Sequence, residues 1–66
     1  MLKEIGLDEN GMLNVPVGTK VAVVTYEESI GYVGIYRGMD EDDGRPVIET
    51  EDGERHAPPV WAVRKI

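Results

Sequence analysis

Two stretches of the chain alternate apolar and polar positions with a period of two, and the remaining segments are read around them. In residues 20–26, Val21, Val23 and Thr25 fall on one side, and Ala22, Val24 and Tyr26 on the other, as in an extended strand. The run is rich in β-branched residues and too short for a stable helix. Residues 30–39 alternate again. Val33, Ile35 and Met39 share a side with Gly31 and Arg37, while Tyr32 and Tyr36 share the other with Ile30, Gly34 and Gly38. Glu27-Glu28-Ser29 joins the two strands. The pair is apolar on both faces. The pattern assigns Val21, Val23, Val33, Ile35 and Met39 to the core and leaves Tyr26, Tyr32 and Tyr36 on a second face. Glycines at 31, 34 and 38 predict a strand that bends sharply or lets another backbone approach.

The flanking segments supply further short strands. In residues 1–15, Leu2, Ile5 and Leu7 precede Asp8-Glu9-Asn10-Gly11, and Met12, Leu13 and Val15 follow it. Asn-Gly provides the positive φ of a tight turn, so a hairpin is expected. A short helix over 2–7 is the alternative, opposed by Gly6. Ile5, Leu7, Leu13 and Val15 are candidates to cover the tyrosine face. Residues 40–45 form an acidic loop. A strand follows over 46–51, then a turn at Asp52-Gly53 and a strand over 54–57. Pro58-Pro59 must break the ladder, because neither residue has an N–H to donate. A last short strand over 60–66 is entered through a 3₁₀ turn. The plan is an N-terminal hairpin extension over 1–16 and a five-stranded small barrel over 17–66, all-β in class.

Composition narrows the chemistry. The chain has 66 residues and no cysteine, so neither a disulfide nor a thiolate zinc site can brace it. A domain this small buries only about 60% of its unfolded surface, which leaves an economical β-core or oligomerisation as sources of stability. No apolar run approaches a membrane span and no leader pattern is present, so a cytoplasmic protein without membrane contact is expected. The net charge of −6 is uneven: residues 40–54 carry eight acidic side chains and one basic, whereas residues 55–66 carry three basic and none acidic. Non-specific nucleic-acid binding is therefore not expected. The acidic strip of Asp40, Glu41, Asp42, Asp43, Glu49 and Glu51 could meet a basic protein surface or imitate nucleic acid. Solvated loop charge is the simpler reading.

From Gly18-Thr19-Lys20-Val21 through Gly31-Tyr32-Val33-Gly34 and the 46–53 segment to Pro59-Val60-Trp61-Ala62-Val63-Arg64-Lys65-Ile66, the chain resembles the SH3-like small-barrel superfamily. Within it, the chain is similar to the plasmid-borne type II dihydrofolate reductases. Arg55-His56-Ala57-Pro58 stands where their catalytic Gln-Ile-Tyr run precedes the closing proline, so reductase activity is not implied. Gly34-Ile35-Tyr36-Arg37-Gly38-Met39-Asp40 is similar to an Sm-like strand motif, but the two motifs that hold an RNA base in that family are absent. Both resemblances imply assembly into a homo-oligomer.

Catalytic and metal readings find little support. Asp40-x-Asp42-x-Gly44 lacks the remaining ligands of a calcium loop. His56 has no nucleophile in a recognisable context, so it reads as a surface or packing residue. A barrel this small is filled by its own side chains. The expectation is a non-catalytic module with no cofactor and no metal. Candidate contact residues are Tyr26, Tyr32, Tyr36, Arg37, Arg55, His56 and Trp61. The function expected is protein binding or assembly, of the kind a phage or mobile-element accessory protein performs. The alternatives are an acidic inhibitor that mimics nucleic acid and a ring that binds a nucleotide-like small molecule at subunit junctions.

Overall fold

The computed structural model describes residues 3–66, so Leu2 of the expected hairpin lies outside the described residues. The protein is all-β. Its strands are β1 (Lys3–Glu4), β2 (Lys20–Val24), β3 (Ile30–Met39), β4 (Pro46–Glu49), β5 (Arg55–His56) and β6 (Val63–Lys65), with one 3₁₀ turn at Val60–Ala62. They form a single antiparallel sheet in the order β1-β6-β2-β3-β4-β5. The described pairings leave it open between β1 and β5.

β3 is the spine, and it bends where its glycines fall. Val23 pairs with Tyr32 but Val24 with Ile30, so Gly31 is the extra residue of a bulge. Tyr36 pairs with Ile48 and Met39 with Pro46, which places a second bulge at Arg37-Gly38, where Gly38 has φ 105°. Gly34 serves a different purpose. A Cβ there would lie 2.6 Å from Ile48 Cγ2 and 2.7 Å from the Glu49 carbonyl oxygen, so β4 crosses β3 at a distance only glycine permits.

The register corrects the expected core. Val21 faces Gly34, Ala22 faces Val33 and Val23 faces Tyr32, and directly opposed residues share a face. Tyr32 and Tyr36 therefore turn inward with Val21 and Val23, while Val33 and Ile35 lie on the outer face. As far as Tyr36 the alternation along β3 is as expected but the face it presents to the core is reversed, and the bulge at Arg37-Gly38 then returns Met39 to the core, where it was expected. Period-two patterning says which residues of a strand lie together, and only the register says which face of the neighbour they join. The buried cluster is Leu13, Val21, Val23, Tyr36, Ile48, Ala62 and Val63, with Ile5, Val15, Tyr32, Met39 and Val60 packed against it.

Residues 7–13 make the expected turn. Leu7 bridges Leu13, the Asp8 N–H donates to the Met12 carbonyl (2.7 Å), and Asp8 Oδ1 accepts from the N–H groups of Asn10 and Met12. Leu13 is thereby delivered into the same core as Tyr36. The Ala62 N–H donates to the Pro59 carbonyl (3.0 Å), closing the 3₁₀ turn that leads into β6.

The turn between β4 and β5 is pinned by a carboxylate. Asp52 accepts from the Thr50 hydroxyl and from the Glu54 N–H. These bonds, the Thr50 bond foremost, hold its carboxyl below the ordinary value of 3.8. A carboxyl with a lowered folded pKa contributes stability above its unfolded pKa, and that contribution is lost as pH falls through the folded value. Between about pH 5 and about pH 2, the melting temperature of the wild type should therefore fall more steeply than that of Asp52→Asn. Parallel melting curves over that range would remove this role from Asp52.

Candidate functional site

The three tyrosines expected on one surface part company. Tyr36 is 0% exposed and, buried in the core, is out of reach of a partner. Its backbone ties the 17–19 segment to β3: the Tyr36 N–H donates to the Thr19 carbonyl (2.9 Å) and its carbonyl accepts from Gly18 (2.8 Å). Its hydroxyl has no hydrogen-bond partner among the described residues. Tyr32 is half-buried, and burial pushes its phenol above the ordinary value of 10.0. Tyr26 is 91% exposed.

Tyr26 owes its position to the turn that follows β2. The Thr25 N–H donates to the Ser29 carbonyl (2.8 Å) and the Glu28 N–H to the Thr25 carbonyl (2.9 Å). Glu28 takes φ 61° there, a left-handed conformation that costs a side-chain-bearing residue about 1 kcal/mol. The turn projects the Tyr26 ring beside Trp61 of the 3₁₀ turn, with centroids 5.1 Å apart and planes tilted by 37°. Trp61 is itself 38% exposed, and Arg64 Nε donates to its carbonyl (3.1 Å). Pairing of β2 with β6, Val23 opposite Val63, is what brings these two distant parts of the sequence together.

Beside this aromatic pair runs an apolar groove of about 350 Å³, lined by Val24, Tyr26, Tyr32, Pro58, Pro59 and Trp61 among others. Aromatic rings and prolines offer rigid, flat walls that lose little conformational entropy on contact. Glu27 and Glu28 follow Tyr26 directly in the chain, and both are exposed.

His56 belongs to a second, more polar groove of about 420 Å³ with Tyr32, Thr50, Glu51, Asp52 and Glu54. Its ring lies 4.7 Å from that of Tyr32, and its Nε2 is 3.5 Å from Glu54 Oε2. Tyr32 lines both this groove and the aromatic one. The Thr50 hydroxyl donates to Asp52, and no hydrogen bond to His56 is present among the described residues.

Arg37 and Arg55 both converge on Glu49, at 3.3 and 3.5 Å. Glu49 is therefore a paired charge rather than part of one continuous acidic strip. Asp40 accepts from the N–H groups of Asp42 (2.8 Å) and Asp43 (3.3 Å), so it is spent on shaping its own loop. Glu41, Asp42 and Asp43 are exposed, as is Glu51. No group of three or more metal-ligating side chains is found among the described residues, and no helix among them is long and apolar enough to cross a membrane. Comparison with protein-family models, with curated proteins and with solved structures finds no match.

Sequence reasoning named Tyr26 and Trp61 separately but missed that they stack. It also missed Pro58 and Pro59 as walls, reading them only as strand breakers. Two prolines beside a tryptophan were the available signal, since prolines and aromatics recur together in grooves that bind extended peptides.

Proposed function

We propose that this chain is a non-catalytic protein-binding module whose contact surface is the Tyr26–Trp61 groove. The sheet, strongly bent at two bulges, is read as a small SH3-like barrel that presents this groove at one end. The observation that carries the reading is the open aromatic pair: Tyr26 is 91% exposed yet stacked on Trp61 over an apolar, proline-walled groove. A large aromatic left at the surface of a 66-residue domain contributes little to its core, and exposed aromatic patches mark interaction sites.

The occupant that fits is an extended segment containing proline. Such a segment is preformed as a polyproline II helix, so it loses little entropy on docking against aromatic walls. A basic residue at one end would face Glu27 and Glu28. The partner is then a protein with a basic, proline-containing stretch, in keeping with the net charge of −6.

Calorimetric titration with a synthetic decaproline flanked by arginines tests this. Tyr26→Ala should weaken binding by about tenfold or more with an unchanged melting temperature, because the ring is exposed and its loss leaves the core intact. Reversing Glu27 and Glu28 to lysine should weaken the arginine-flanked probe and spare a decaproline without arginines. Equal affinity of wild type and Tyr26→Ala for the probe would reject the groove.

A further inference from the structure

The outer face of β3 points to a second interaction, with another copy of this chain. The observations are independent of the aromatic groove. Val33 and Ile35, displaced from the core by the register, form the floor of a groove of about 510 Å³ on that face. Lys20 stands on one side of Ile35 and Glu49 on the other, as the pairings Lys20 with Ile35 and Ile35 with Glu49 require. Glu51 extends the Glu49 wall. Arg37 also lines this groove and, with Arg55, pairs Glu49, so the charges left for a partner are basic at Lys20 on one wall and acidic at Glu51 on the other. Within the chain Glu49 is shared by Arg37 and Arg55, but neither Lys20 nor Glu51 has an ion-pair partner among the described residues.

We propose that two copies pack face to face on this groove about a two-fold axis running along β3. Rotation about that axis exchanges the walls, so Lys20 of each copy comes to lie over the Glu49 to Glu51 segment of the other. A two-fold axis across the strands would instead set like charges against each other, at a cost in free energy. The charge pattern thus favours an axis along β3 over one across the strands, and a two-fold contact of this kind is self-complementary by construction. The floors contribute Val33 and Ile35 from both sides. A specific interface needs about 600 Å² from each partner at the low end, about an eighth of this chain's 4546 Å² surface. A cysteine-free domain of this size gains most from such a contact, because its own core is small.

Light scattering and sedimentation on the whole chain test the proposal. The wild type should approach twice its 7.3 kDa as its concentration rises toward about 1 mM and dissociate on dilution. Lys20→Glu and Glu51→Lys should each weaken association by about tenfold, and the double exchange should restore it. Circular dichroism would verify that these surface variants stay folded. A wild type that remains at 7.3 kDa, or a double exchange no better than the single variants, overturns the proposal. Binding of the proline probe to Lys20→Glu should be unchanged, which separates this surface from the aromatic groove.

Discussion

Gly34→Val is expected to abolish the folded state. Even the first added carbon would sit 2.6 Å from Ile48 Cγ2, 2.7 Å from the Glu49 carbonyl oxygen and 3.1 Å from the Glu49 carbonyl carbon. Two of those three atoms are backbone, and the backbone of Glu49 is fixed by its pairing with both Ile35 and Arg55. Relief requires β4 to move off β3, which opens the sheet over Ile48, one of the most buried residues. Overpacking a core costs about 1–3 kcal/mol when side chains can yield, and more is expected when a backbone must. A domain of this size holds only about 3–5 kcal/mol in reserve. Gly34→Ala should lower the melting temperature sharply, and Gly34→Val should give no cooperative melt. Gly31 is the internal control. Its Cβ would meet the Val23 carbonyl at 3.4 Å and Thr25 Cγ2 at 3.5 Å, ordinary contact distances, so Gly31→Ala should melt near the wild type. A Gly34→Ala variant as stable as wild type would mean that β3 and β4 do not cross as described.

Tyr36 gives the second large effect, with opposite signs for two substitutions. It is the largest of the fully buried side chains and contacts a core drawn from both ends of the chain. Tyr36→Ala removes a buried ring and leaves a cavity, at a cost of about 3–5 kcal/mol, enough to unfold the domain. Tyr36→Phe removes only the hydroxyl, which has no partner among the described residues. An unsatisfied buried polar group carries a desolvation penalty, so this variant should gain about 1 kcal/mol. Urea denaturation measures both. A Phe variant less stable than wild type would show that the hydroxyl is hydrogen-bonded in solution, for example to a buried water.

The local features of this fold were legible in the sequence. Asn10-Gly11 and Asp52-Gly53 mark turns because both glycines take positive φ, 78° and 87°. Gly34 could be read as a point of close backbone approach, and the prolines at 58 and 59 as a break between β5 and the 3₁₀ turn. What the sequence left open depends on register. The bulge at Gly31 sets Val23 against Tyr32, and that single relation decides that Tyr36 is core and Ile35 is surface. The tyrosine face was therefore divided: Tyr36 is buried and Tyr26 is exposed, with Tyr32 between them. The N-terminal segment takes part in this division, since Leu13 packs in the cluster with Tyr36. The candidate site was half legible. Its aromatic residues were named, but their meeting depends on the β2–β6 pairing, which no local pattern encodes. The charges show the same limit: Arg37, Arg55 and Glu49 look like separate surface groups along the chain and form one ion-paired cluster in space. Those pairs are largely exposed, so each contributes at most about 1 kcal/mol.

The central claim is that the Tyr26–Trp61 groove receives an extended proline-containing segment. Trp61 is the one tryptophan in the chain, so its fluorescence reports on that groove alone. Titration of the whole protein with arginine-flanked decaproline should shift the Trp61 emission to saturation. A glycine–serine peptide carrying the same arginines should leave it unchanged. Saturation by neither peptide, or equally by both, would contradict the account.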